Sequence, residues 1–323
     1  MPRFIVYGAG AIGGAVGSRL FEHGHDVVLI ARGAHREAIA RAGLRFESPD
    51  GVLVQPLEVV AGPEQIAWHD DDVVLLTVKG QDTAAALERL EAAAGPDIAV
   101  VCLQNGVENE RMALRRFARV YSVVVQLPAT HLEAGLVVAH SAPVTGALDI
   151  GCYPDGLDDR ARQIAEVFAA SGFASQPRAD ISRWKYAKLL RNVMNAVEAL
   201  FDHADAAEVR RRAGAEAVAA LDAAGIAYVG DAEYDERHRR LITTKPVAGQ
   251  ARGGGSSWQS LARASGVIET DQLNGEVVLL GRLHGVPTPV NELLRRLAGA
   301  DARAGVPPGG HDQAEFLAML EEP

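Results

Sequence analysis

A chain of 323 residues is long enough for two hydrophobic cores, and 48% hydrophobic with 23% charged residues excludes wholesale disorder and fibrous repeats. A formal net charge of -10 would repel a phosphate backbone, so nucleic acid is not an expected partner. Cys102 and Cys152 lie in β-like apolar runs without a CxxC pair or a nearby His; they read as buried thiols of a reducing compartment, and no metal site is expected.

The first apolar stretch, Phe4 to Gly17, follows Arg3 as a secretory h-region would, but glycines break it and it runs into SRLFEHGH. It reads as a strand and a turn. No other segment approaches the length of a membrane span, so a cytoplasmic location without a membrane partner is expected. Next come a helix from about Ala11 to Glu22, the strand Asp26 to Ala31 and a helix from about Ala34. LRFESPDGVLVQPLEVV carries a Pro-Asp-Gly turn between apolar runs and reads as a hairpin insertion. The strand Asp72 to Lys79, a helix from about Asp82 to Ala94, the strand Ile98 to Asn105 and a helix from about Glu108 follow. Continuous Val/Ile/Leu strands alternating with helices predict a parallel sheet covered on both faces.

After Val120 the runs VYSVVVQL, GLVVAHSA and GALDIGCY predict a strand-rich tail, with His131 and His140 on surface strands. A helix from about Leu157 to Ser171 and a strand near Phe173 close the first domain. The fold class is therefore α/β: an N-terminal Rossmann-type doubly wound sheet over residues 1–178 and a C-terminal all-helical domain over 179–323. Helices are expected at about 181–203, 205–225, 231–243, 256–264, 269–284 and 288–304, followed by a short terminal helix. Thr243 to Gly255 has few large apolar residues and reads as a mobile loop, with Gly253 to Gly255 either a lid or a plain connection. Arg210-Arg211-Arg212 reads as a solvated helix face.

Gly8-Ala9-Gly10-Ala11-Ile12-Gly13 matches GxGxxG between an N-terminal strand and a helix. Missing side chains let a pyrophosphate approach the backbone, and the helix N-terminus supplies free N–H groups and positive partial charge. The second strand ends in Leu29-Ile30-Ala31-Arg32, where an NAD site would present a carboxylate to the ribose hydroxyl. Arginine suits a 2'-phosphate, so NADPH/NADP+ is the expected cofactor. Two more strand ends, Thr77-Val78-Lys79 and Leu103-Gln104-Asn105-Gly106, should face the same crevice, where Lys79 and Asn105 are candidates for ribose, nicotinamide or substrate.

In RWKYAKLLRNVMNAVEAL, Tyr186, Leu190, Val193, Val197 and Leu200 form an apolar face, while Lys185, Lys188, Asn192 and Asn195 form a polar one. Two asparagines in line with a lysine suggest specific hydrogen bonds, because asparagine is a poor residue for an exposed helix interior, while spacing alone leaves a plain solvent face as the alternative. Ser256 and Ser257 open a later helix, whose free N–H groups would receive either a capping side chain or a substrate carboxylate. Glu269 then leads the run Glu269-Thr270-Asp271-Gln272-Leu273-Asn274-Gly275.

In this order GAGAIGG, an Arg after the second strand, TVKGQ, QNG, W…K-x-x-x-N, SSW, ETDQLNG and GVPTPVN resemble the ketopantoate reductase (2-dehydropantoate 2-reductase) family over nearly the whole chain. The resemblance implies an enzyme, an NADP-dependent oxidoreductase of pantothenate biosynthesis that reduces a small-molecule 2-oxo acid, ketopantoate in the first instance, to a 2-hydroxy acid. It makes Lys188 the general acid and places Asn192 beside it, with Glu269 binding the substrate hydroxyl or orienting the lysine. Ser257 matches a substrate-contacting serine, Asn105 and Lys79 match positions lining the cofactor and substrate cleft, and Arg32 matches the phosphate-binding arginine.

The sequence departs from the family pattern where Asn195 follows Asn192 by three residues instead of four, and where Lys185 competes with Lys188. It departs again at Trp258, Leu261 and Gly266-Val267-Ile268. These departures keep open a family relative reducing another ketone. A β-hydroxyacid dehydrogenase and a non-catalytic NADP-binding sensor are the remaining alternatives, and a homodimer is an open assembly.

Overall fold

The computed structural model describes residues 2–202, 206–238, 241–249 and 252–321. The chain divides into two compact units, Met1–Lys185 with Gly230–Arg252, and Tyr186–Val229 with Gly253–Pro323. This differs from a single boundary after residue 178 in two ways: the division falls inside a helix, and residues 230–252 return to the first unit.

In the first unit, β1 (Phe4–Tyr7), α1 (Ala11–Glu22), β2 (Val27–Ile30) and α2 (Gly33–Ala42) open the chain, followed by β3 (Leu44–Ser48), β4 (Gly51–Gln55) and β5 (Glu58–Val60). Then come β6 (Val73–Leu76), α3 (Thr83–Ala94), β7 (Ala99–Cys102), α4 (Asn109–Leu114), β8 (Arg119–Gln126), β9 (Ala129–Thr130), β10 (Leu136–Ala139), β11 (Ser141–Pro143), β12 (Ala147–Cys152) and α5 (Asp159–Ala170). A seven-stranded sheet runs β12-β8-β7-β6-β1-β2-β5. All its neighbouring pairs are parallel except β8 with β12. Every residue of β1, β2, β6 and β7 is buried, because helices cover both faces and select unbroken Val, Ile and Leu. The strand order reverses direction between β1 and β6, so their carboxyl ends open the crevice where doubly wound sheets receive ligands.

The expected hairpin is β3 and β4, which pair antiparallel around Pro49-Asp50-Gly51. The structure adds what the sequence did not signal: β10 joins β3 in parallel and β9 joins β10, making a second sheet ordered β4-β3-β10-β9. The segment near Phe173 is not a strand; Ala174 makes only an isolated bridge to Ala147. His140 is buried, its Nε2 3.2 Å from Thr130 Oγ1 and its carbonyl accepting from Lys245 N, so it is not a surface residue. Cys102 is buried, whereas Cys152 is half-buried.

The chain continues through α6 (Ile181–Asn192), α7 (Met194–Leu200), α8 (Ala207–Ala223), α9 (Asp231–His238), β13 (Ile242–Thr244), α10 (Ser256–Ala262), α11 (Asn274–His284), α12 (Pro289–Ala304) and α13 (Gln313–Met319). Of these, α9 and β13 belong to the first unit. The mobile loop expected from Thr243 onward is thus in part a strand: Ile242, Thr243 and Thr244 pair with Pro143, Ala142 and Ser141 of β11. Their β-branched side chains fit an exposed strand edge, which low overall apolarity concealed. Gln250 and Ala251 of that expected loop lie outside the described residues. Arg237 of α9 and Arg178 both bond the fully buried carboxylate of Asp149 on β12, at 2.6–2.9 Å and 2.7 Å, and hold its pKa below the ordinary carboxylate value despite burial.

The regular elements of the second unit are helices, apart from an isolated bridge between Phe201 and His311. Val290, Leu294, Ala298 and Ala302 recur at one-turn spacing on α12 and are buried against Val197, Leu200 and Phe316. Gly285 and Gly305 end α11 and α12 in the left-handed region, at φ 72° and 69°, where an L side chain is strained. The helix expected over 181–203 is two helices, interrupted at Val193. The buried amide of Asn274 donates to the Val193 carbonyl at 3.1 Å and to Asn291 Oδ1 at 3.0 Å. Asn291 in turn donates to Ala213 O and Glu216, and Glu216 accepts from the N–H groups of Val290 and Asn291 that open α12. The interruption therefore has a compensating acceptor–donor network, as burial of backbone polar groups requires.

Candidate functional site

The first unit carries the glycine loop at the switch of strand order. Gly8 has φ +113°, and a Cβ there would lie 2.8 Å from Val78 N; a Cβ on Gly13 would lie 2.2 Å from Gly8 O and 2.5 Å from Thr77 Oγ1. These two glycines are required so that β1, α1 and the end of β6 can approach. Thr77 Oγ1 donates to Gly8 O at 2.8 Å and holds the loop to β6. Gly10 differs: a Cβ there meets no atom within 4 Å and would occupy the space over the N-terminus of α1. Gly10 is also the N-cap of α1 and makes no side-chain cap bond. An uncapped helix N-terminus under a side-chain-free residue fits a pyrophosphate, with Ala11, Ile12 and Gly13 supplying the first helical N–H groups.

Arg32 stands at the end of β2, its side chain 72% exposed and 3.7 Å from Asp82 Oδ2. A contact that long between exposed groups contributes little, so the guanidinium fits an incoming 2'-phosphate, with the planar donors such a group binds. Lys79 and Asn105 are half-buried at the ends of β6 and β7. One network holds both ends: Gln104 Nε2 donates to Val78 O at 2.9 Å and Thr83 Oγ1 at 2.8 Å, Thr83 donates to Asn109 Oδ1, and Asn109 Nδ2 donates to Asn105 O at 2.9 Å.

Lys185 does not share the character of Lys188. Its ammonium is buried, 2.9 Å from Glu110 Oε1 and donating to Gln104 O at 2.8 Å. Ser122 Oγ donates to the same Glu110 oxygen at 2.8 Å. An ammonium held by a buried carboxylate and a backbone carbonyl is a structural group. The four-residue polar stripe therefore splits, with Lys185 in the first unit and Lys188, Asn192 and Asn195 in the second.

In the second unit Lys188 is half-buried on α6, one turn before Asn192. Among the described residues, Asn192 is buried with no hydrogen-bond partner for Oδ1, and Ser257 is buried with none for Oγ. Buried polar atoms are normally paired, so this donor-acceptor hydroxyl and this acceptor are suited to a ligand. Its neighbour Ser256 donates to Glu269 Oε2 at 3.0 Å. Glu269 is buried in a short 3-10 turn, Glu269–Asp271, separate from α11, so it does not open a long helix as expected. A Cβ on Gly255 would lie 2.9 Å from Glu198 Oε2 and 3.7 Å from Asn195 Oδ1, which places both groups at the start of α10. Carboxylates thus stand where a substrate carboxylate was an alternative. Glu198 carried no sequence signal beyond its i+3 spacing from Asn195. Gly253 and Gly254 lie under Trp258, where a Cβ would come within 2.6 Å and 2.5 Å of the ring, so these glycines accommodate the indole.

Residues 4–155 match the family described as Ketopantoate reductase PanE/ApbA, and residues 180–301 match its C-terminal domain. A 2-dehydropantoate 2-reductase of Mesorhizobium japonicum is 30% identical over 328 residues, covering 92% of this chain and 98% of its own. The chain belongs to the ketopantoate reductase family. Membership makes it an enzyme, an NADP-dependent oxidoreductase of the 2-dehydropantoate 2-reductase type. A 2-dehydropantoate 2-reductase of Pyrococcus horikoshii is 27% identical over 308 residues, covering 94% of this chain and 98% of its own. A PanE/ApbA family ketopantoate reductase from Ralstonia eutropha has a TM-score of 0.77 at 27% identity, over 94% of this chain and 99% of that one. A D-mandelate dehydrogenase with NADH and anilino(oxo)acetate shares the fold at a TM-score of 0.78 and 20% identity, over 94% of this chain and 99% of that one. In this chain GAGAIGG, QNG and SSW fall at a glycine loop, a strand end and a helix start. No helix among the described residues is long and apolar enough to cross a membrane.

Proposed function

We propose that this chain reduces 2-dehydropantoate to pantoate with NADPH, using Lys188 as the proton donor. The observation that carries the reading is a pair of buried atoms, Asn192 Oδ1 and Ser257 Oγ, that have no partner among the described residues, in the unit that holds Lys188. An acceptor and a hydroxyl suit a substrate offering both a hydroxyl hydrogen and carbonyl or carboxylate oxygens, as a hydroxylated 2-oxo acid does.

When bound, the reduced nicotinamide supplies the hydride that forms the new C–H bond at the carbonyl carbon. Lys188 Nζ gives a proton to the carbonyl oxygen as its π bond breaks, and solvent returns a proton to the amine. Asn192 and Ser257 hold substrate oxygens and limit its rotation, with Asn195 as a further contact. Glu269, which accepts from Ser256, binds the substrate hydroxyl or orients Lys188. Gly8, Gly10, Ala11, Ile12, Gly13, Arg32, Lys79 and Asn105 hold the dinucleotide.

The test is NADPH oxidation at 340 nm with 2-dehydropantoate beside other 2-oxo acids. Preferred turnover of 2-dehydropantoate is expected; turnover of another 2-oxo acid alone reassigns the substrate. For the 2'-phosphate contact, Arg32→Ala should raise Kd for NADPH by about tenfold or more, matching loss of a charge-assisted contact, and leave Kd for NADH unchanged. Equal loss for both dinucleotides would contradict the assignment of Arg32.

A further inference from the structure

The glycine loop has an anchor outside the motif. His35, in the first turn of α2, places Nε2 2.7 Å from Ala9 O and Nδ1 2.9 Å from Gly135 N. Gly135 N–H is a donor, so Nδ1 accepts; the ring proton is then on Nε2 and is donated to Ala9 O. Both ring nitrogens are engaged, in one tautomer, between the dinucleotide loop and the turn before β10. Burial pushes the His35 pKa below its ordinary value, which keeps the ring neutral as this pattern requires. The His131 ring lies 4.1 Å away, centroid to centroid, and limits the tilt of His35.

The far end of this link is itself fixed. Gly135 O accepts from Arg45 N of β3 at 2.9 Å, and a Cβ on Gly135, at φ +81°, would lie 2.9 Å from Ala38 Cβ of α2. A Cβ on Gly14 of α1 would lie 2.7 Å from Val137 Cγ2 of β10. The second sheet thus packs on α1 and also holds, through His35, the carbonyl that precedes Gly10. We infer that His35 is a positioning residue for the cofactor: it keeps the Ala9 carbonyl turned onto its ring, so that the peptide before Gly10 does not present its negative end to the pyrophosphate. This rests on the reading of Gly8 to Gly13 as the dinucleotide loop, and it gives the second sheet a role as the brace of that loop.

A pyrophosphate effect does not depend on the 2'-phosphate. His35→Ala should therefore weaken NADPH and NADH alike, by about tenfold, the loss expected for one buried hydrogen-bonded contact, with kcat at saturating cofactor unchanged. His35→Gln carries a donor and an acceptor on one side chain and should recover most of the affinity. Arg32→Ala, which acts on NADPH alone, is the reference. Titrations by nicotinamide fluorescence of the full chain read all three. Wild-type binding with unchanged affinity in His35→Ala overturns this role, and so does equal weakening in His35→Ala and His35→Gln, which would assign the effect to ring packing. Wild-type protein that binds neither dinucleotide overturns the loop reading and the role of His35 together.

Discussion

Lys188→Met should lower kcat for the 2-oxo acid by about a hundred- to ten-thousandfold, the usual contribution of a positioned proton donor, while NADPH still binds with wild-type Kd. Methionine keeps the length and apolar stem of lysine and suits a helix, so α6 should persist and the loss should be chemical. The expectation rests on three features of one helix. Lys188 is half-buried, it precedes by one turn a buried asparagine whose Oδ1 has no partner among the described residues, and the competing lysine is already committed to Glu110. Single-turnover NADPH oxidation measures the step directly. Wild-type turnover in Lys188→Met would remove this residue from the mechanism.

Lys185→Met should instead destabilise the fold, by about 3–5 kcal/mol, the cost of leaving one member of a buried ion pair unpaired. Glu110 is 1% exposed and Lys185 5%. Without the ammonium, the carboxylate keeps only the Ser122 hydroxyl among its described partners, and Gln104 O loses a charged donor. Adding Glu110→Gln to Lys185→Met removes the uncompensated charge and should recover part of the loss. Denaturant unfolding of the two variants gives both values. If Lys185→Met were as stable as wild type and lost only turnover, the assignments of the two lysines would have to be exchanged. Two lysines three positions apart on one helix are thus expected to fail in different measurements.

The sheet was legible in the sequence because its strands are buried on both faces and so spell continuous Val/Ile/Leu runs. The glycine loop was legible because its spacing reflects contacts that a Cβ would violate at Gly8 and Gly13. Long-range pairing was not legible. Nothing local marks β10 as the partner of β3 or Ile242–Thr244 as the partner of β11, since each pair joins residues about ninety or a hundred positions apart. The interruption at Val193 was hidden for a related reason: its acceptor is satisfied by Asn274, far along the chain, while the local pattern remains helical. The spacing of Lys185, Lys188, Asn192 and Asn195 is legible in the sequence, but spacing does not say which member meets a buried carboxylate or where the helix breaks. Glu110 and His35 escaped notice because their importance lies in partners that only the fold supplies.

The return of residues 230–252 to the first unit also bears on how the protein can be cut. A gene fragment ending at residue 178 would encode the glycine loop, Arg32 and all seven strands of the main sheet, yet lack α9 and β13. Asp149 would then keep one arginine instead of two, and β11 would end as an unpaired edge. A fragment that reproduces the nucleotide-binding body needs both stretches of chain, joined by a new connection in place of residues 186–229.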